Sequence, residues 1–113
     1  DSKIRKAISE IAERRRVEIT LEQIWRKEPV VFAPEIVEKI EAAAKALGLS
    51  HRRMISGAGH DACNLAKTIP TAMIFVPCKD GISHNELEDA TPEDCAAGAN
   101  VLLHTVLSLA KVC

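Results

Sequence analysis

Pro70-Thr71-Ala72-Met73-Ile74-Phe75-Val76-Pro77 is an apolar run with a proline at each end. It has strand length, is too short for a stable helix, and carries nothing polar between Ala72 and Val76. An unbroken run of this kind predicts a strand buried on both faces, as in a parallel sheet. Such a strand needs a neighbour on each side, and the chain hardly provides them. Val17, Ile19 and Leu21 alternate with Glu18, Thr20 and Glu22, the pattern of a half-buried strand with one wet face. Residues 51–55 could form a third, short strand. Two or three strands make a poor sheet by themselves.

Helical signals surround these segments. Ile4, Ala7, Ile8, Ile11 and Ala12 fall on one face of a helix over 3–14, with Ser2 as its N-cap and Arg14-Arg15-Arg16 at its C-terminal end. The flanking glutamates make that arginine run a solvated face rather than a phosphate site. A helix over 35–47 turns Ile36, Val37, Ile40, Ala43, Ala44 and Leu47 inward, starts at Pro34 and stops at Gly48. Thr91, Pro92 and Asp94 are a helix start, and the helix to about Lys111 is apolar nearly all round, which predicts deep packing. Residues 26–34, with Pro29 and Pro34, read as a crossing between substructures. Helix and strand alternate in the second half, so the expected fold class is α/β.

Composition bounds the function. The 113 residues suit one domain, and 47% hydrophobic with 27% charged residues excludes a disordered chain. A net charge of −1 excludes a polyanion-wrapping protein, and aromatics at 3% leave almost no platforms for stacking bases, so no nucleic-acid partner is expected. No apolar run is long enough to cross a bilayer, so no membrane partner is expected either. Cys63, Cys78, Cys95 and Cys113 include no C-x-x-C pair; they are expected to be reduced thiols in a cytoplasmic protein, with Cys63 and Cys95 buried as small hydrophobes. The chain opens at Asp1 directly into a helix, which raises the expectation of a processed N-terminus or a piece of something larger.

Charge is uneven: residues 80–113 hold six acids and one base, and the acids gather around His84. Asp80-Gly81-Ile82-Ser83-His84-Asn85 follows the apolar run, where ligand-binding loops of open α/β sheets collect. An imidazole among carboxylates suits a divalent cation, although a surface turn with an exposed histidine uses the same residues. The second candidate, Ser56-Gly57-Ala58-Gly59-His60-Asp61-Ala62, lets a ligand approach backbone closely and opens a short helix, or else is a turn that His60-Asp61 caps. It lacks G-x-G-x-x-G and a phosphate-binding lysine. His51 and His104 read as structural. A cysteine nucleophile at Cys63 or Cys78 has no activating signature, and a Ser83-His84 dyad is disfavoured because adjacent side chains rarely share productive geometry.

S-G-A-G-H-D-A at 56–62, M-I-F-V-P at 73–77 and D-G-I-S-H-N at 80–85, in that order, resemble the C-terminal part of hydantoinase/carbamoylase-type amidases. That group includes N-carbamoyl-L-amino-acid hydrolases, β-ureidopropionases and allantoate amidohydrolases, within the aminoacylase/carboxypeptidase superfamily. The resemblance covers essentially the whole chain. It implies a catalytic α/β domain with a dinuclear zinc or manganese centre and an inserted α+β lid that forms a homodimer interface. On this footing residues 1–25 correspond to the end of the lid, 26–34 to a hinge, and 35–113 to the C-terminal part of the catalytic domain. His84 corresponds to the last metal ligand, and Gly59 and His60 to the substrate-binding segment.

No residue matches the remaining ligands or the general-base glutamate, which the resemblance puts upstream of Asp1; no catalytic residue is therefore expected in this chain. The implied reaction is metal-assisted hydrolysis of the carbamoyl C–N bond of a small ureido acid, and the piece alone is expected to be inactive, with the rest of the catalytic domain as its partner. The alternative is a non-catalytic interaction or dimerisation module that keeps the amidase scaffold.

Overall fold

The computed structural model describes residues 1–111. Four helices appear in order: α1 (Ser2–Arg15), α2 (Pro34–Ala46), α3 (Ala62–Leu65) and α4 (Pro92–Ala110), with a 3₁₀ turn at Lys79–Gly81 before the last.

The ends of α2 and α4 follow from local chemistry. Pro34 begins α2, where its missing N–H costs nothing. At its far end Gly48, at φ 67, lets the Gly48 N–H reach the Lys45 carbonyl and the Leu49 N–H reach the Ala44 carbonyl, at 3.0 Å each. This pair of bonds is the Schellman motif, and glycine adopts the left-handed conformation without steric penalty. Thr91 caps α4, accepting the Asp94 N–H at 3.1 Å, with Pro92 following. Helix α1 ends in the same way as α2, but Arg16 takes the left-handed position at φ 52.

Among the described residues, one helix pair makes most of the core, with Ala62 of α3 buried apart from it. The inward residues expected on α2 are all buried or half-buried, and α2 packs against α4 around Ala44 and Val101. Buried Thr105 satisfies its hydroxyl by donating to the Val101 carbonyl one turn back, at 2.7 Å. Lys39 Nζ ties the pair at its edge by donating to Ser108 Oγ at 3.1 Å. Residues 71–76 lie against α4 at Gly98, where a Cβ would meet Val76 Cγ1 at 2.6 Å.

Three expectations are corrected. Among the described residues, the segments 17–22, 51–55 and 71–76 form no strand, so this chain by itself does not build the α/β sheet. A strand exists through its partners, and here 71–76 has neighbours on too few sides; its one regular tie is the Ala33 N–H on the Thr71 carbonyl, at 2.9 Å. Met73 and Ile74 are consequently half-buried and Phe75 exposed. Secondly, α4 does not pack deeply: Leu102, Leu103 and Val106 are each about half exposed, because α2 covers one face only. Thirdly, Cys95 is exposed and Cys63 only half-buried. Cys63, Cys78 and Cys95 are free thiols, and Cys113 lies outside the described residues. The apolar stripe of α1 finds only partial cover: Ile8 and Ala12 are half-buried, and none of its residues is fully buried. No helix among the described residues is long and apolar enough to cross a membrane.

Candidate functional site

Both candidate loops lie on the surface, and each holds its histidine in a defined way. In the first, the ring of His60 caps the short helix α3: Nδ1 accepts the Ala62 N–H at 3.0 Å. Asp61 precedes the helix but makes no side-chain cap bond. With Nδ1 committed as an acceptor, a neutral His60 carries its proton on Nε2 and offers it outward as a donor. Gly59 has open space around its Cα, with nothing within 4 Å of a built Cβ. Capping and ligand binding are therefore compatible, because they use opposite nitrogens of one ring.

The second loop is closed at its neck. The Lys79 N–H donates to the Asp89 carbonyl at 2.7 Å, and the Gly81 and Ile82 amides fold back on the Cys78 and Lys79 carbonyls. Asp80 and Gly81, at φ 54 and 70, turn the chain. His84 sits at the tip, exposed, with a left-handed backbone at φ 60. Its N–H donates to Glu88 Oε2 at 2.7 Å, while Cys78 Sγ lies 3.7 Å from Glu88 Oε1. Partial burial, followed by the Glu88 charge, pushes the Cys78 thiol above its ordinary range. A thiol held protonated is the opposite of an activated nucleophile, which removes the support for a cysteine hydrolase at Cys78.

Contrary to expectation, Ser83 and His84 do meet: Ser83 Oγ is 2.8 Å from His84 Nδ1. When Nδ1–H donates to the hydroxyl, Nε2 keeps a lone pair directed away from the loop, the state that a metal-bound imidazole requires. The donor chemistry of His84 thus fits one ligand position. Among the described residues, no three His, Cys, Asp or Glu side chains come together to hold a metal ion. A tight zinc site takes three or four protein ligands, so His84 by itself does not make one.

His51 is structural, as its position implied. Its Nδ1 donates to the Leu49 carbonyl at 2.9 Å, and its Nε2 faces Glu41 at 3.9 Å. Glu41 is the hub that ties 51–53 to α2: Lys45 and Arg53 each approach its carboxylate to 2.7 Å and hold its pKa down at about 2. His104 is exposed and borders an open groove between α2 and α4. Neither that groove nor the cleft between 31–35 and 66–71 is lined by Gly59, His60 or His84. No bond joins the two candidate loops among the described residues.

Comparison with known proteins gives these loops their context. The profile of peptidase family M20/M25/M40 matches residues 3–108. The chain belongs to that family. Its members are generally metal-dependent hydrolases. Among the relatives of this M20 chain, an N-carbamoyl-L-amino-acid amidohydrolase from Rhizobium meliloti is 50% identical over 102 residues, covering 90% of the chain and 24% of that relative. A ureidoglycolate hydrolase from Arabidopsis thaliana is 39% identical over 108 residues, covering 95% of the chain and 23% of that relative. A solved amidase of the hydantoinase/carbamoylase family from Burkholderia multivorans superposes with a TM-score of 0.88 at 55% identity, over 96% of this chain and 26% of that one. The chain therefore spans about a quarter of the length of the proteins it matches. The resemblance read from the three motifs is borne out.

Proposed function

We propose that this chain is the C-terminal portion of a metal-dependent amidohydrolase that cleaves the carbamoyl C–N bond of N-carbamoyl amino acids or related ureido acids. The similarity to the Rhizobium meliloti enzyme, 50% over 102 residues, supports this reading most strongly. Residues 1–25 would end a lid and dimerisation domain, 26–34 would form the return hinge, and 35–113 would complete the catalytic α/β domain. Side chains left bare here, such as Trp25 at 73% and Ile55 at 95% exposure, would be covered by the rest of that domain and by a second subunit.

His84 would supply one ligand to a two-metal centre of zinc or manganese, the other ligands and the general-base glutamate coming from the remaining three quarters of the protein. Such ions polarise the carbonyl and lower the pKa of a bound water. His84 contributes its Nε2 lone pair, and Ser83 fixes the ring from the other nitrogen. His60 presents Nε2–H to a carboxylate or carbamoyl oxygen of the substrate, while Gly59 leaves room for the substrate to approach the backbone.

The intact protein should release ammonia from N-carbamoyl-L-amino acids or from ureidoglycolate, and lose that activity to a chelator. The 113-residue chain by itself should not turn over. Turnover by the chain alone, or hydrolysis that survives complete metal removal, would sink the proposal. An intact protein that binds these acids without hydrolysing any of them would point to the non-catalytic module instead.

A further inference from the structure

The loop that carries His84 contains a residue whose position the metal chemistry does not explain. Glu88 reaches back across the turn so that Oε2 accepts the backbone N–H of His84 at 2.7 Å. Its other oxygen lies 3.7 Å from Cys78 Sγ at the loop neck. The Glu88 N–H in turn donates to the Asn85 carbonyl at 3.0 Å, so the backbone below the carboxylate is also fixed. His84 has a left-handed backbone, at φ 60, which a residue bearing a Cβ adopts only when its surroundings hold it there.

We propose that Glu88 is a positioning residue for His84: its carboxylate fastens the His84 amide and so fixes the left-handed turn from which the imidazole is presented. The inference rests on His84 being a metal ligand, as proposed above. It assigns a role to an acid that otherwise reads as one more charge in the acidic C-terminal third. Ser83 sets the rotation of the ring, and Glu88 sets where the ring begins. The two controls are independent, since one acts on Nδ1 and the other on the main chain.

A hydrogen-bond acceptor at the correct reach is what this role requires, and negative charge is not. Glutamine keeps a carbonyl oxygen at that reach, aspartate keeps the charge but is one methylene too short, and alanine keeps neither. In the intact protein, stripped of metal and titrated with Zn²⁺ against a chromophoric chelator, Glu88→Ala and Glu88→Asp should each weaken the site by about tenfold or more, the scale seen when outer partners of a ligand are lost. Glu88→Gln should stay within about threefold of the parent. The melting temperature of each metal-free variant separates loss of fold from loss of positioning, and Glu88→Asp keeps the test decisive if the alanine variant does not fold.

His84→Ala serves as the control. If it abolishes one zinc site while Glu88→Ala and Glu88→Asp bind zinc like the parent, Glu88 has no positioning role and the functional reading stands. If Glu88→Gln is as damaged as Glu88→Ala, the charge or direct ligation matters and the hydrogen-bond assignment is overturned. If His84→Ala itself leaves zinc binding unchanged, the ligand assignment falls, and this inference falls with it.

Discussion

Gly98→Ala tests whether residues 71–76 are pressed onto α4, the contact that sets the base of the His84 loop. Alanine is favoured over glycine inside a helix by about 1 kcal/mol, so on helix propensity alone the substitution stabilises. The added Cβ, however, would lie 2.6 Å from Val76 Cγ1, well inside an ordinary carbon–carbon contact of about 3.5–4.0 Å. Val76 is branched at Cβ and has little rotamer freedom with which to retreat. Overpacking of this kind costs about 1–3 kcal/mol, so the net effect should run from near neutral to about 2 kcal/mol destabilising. The informative quantity is the coupling. In a Val76→Ala background the obstructing methyl is gone, and Gly98→Ala should become stabilising by about 1 kcal/mol. Thermal and urea unfolding of the parent, both single variants and the double variant would give a coupling of about 1–3 kcal/mol. Equal stabilisation by Gly98→Ala in both backgrounds would show that Val76 does not bear on α4, and the packing described for 71–76 would be wrong.

Two further outcomes follow from the charged and thiol groups. Glu41 titrates at about 2 when folded against an ordinary value of 4.5, so its pairing with Lys45 and Arg53 stabilises the fold fully above about pH 4.5 and is lost as pH falls toward 2. Acid unfolding monitored by circular dichroism should therefore be less steep in that window for Glu41→Gln than for the parent; identical slopes would remove Glu41 as the hub. The Cys78 thiol is pushed up and half-buried, whereas Cys95 is exposed, so iodoacetamide at pH 8 should alkylate Cys95 well before Cys78. Mass-spectrometric mapping that found Cys78 modified first would contradict the Cys78–Glu88 contact.

The helices were legible because their signals are local. Pro34 and Gly48 bracket α2, and Thr91, Pro92 and Asp94 start α4, each within a few residues of the bond it makes. The apolar run at 71–76 has a strand pattern yet forms no strand among the described residues, for the opposite reason. Its hydrophobicity is encoded locally, but pairing depends on partner segments that the described residues do not provide. The exposure of α4 has the same cause: its pattern calls for cover on several sides, and α2 supplies one. At the site, the motif around His84 could be read directly, and so could the capping role of His60. The bond from Glu88 to the His84 amide could not, since it depends on a left-handed backbone at a non-glycine residue, for which the sequence carries no signal. Gly98 was equally silent, because a glycine chosen for close approach looks like any other within a helix.

The most direct test of the account is the metal content of the intact protein with and without His84. Atomic absorption should find that His84→Ala loses about one metal equivalent per subunit, and the rate of carbamoyl hydrolysis should fall by orders of magnitude with it. Unchanged metal content and an unchanged rate would contradict the assignment of His84 as a metal ligand, and with it the metal site proposed for this chain.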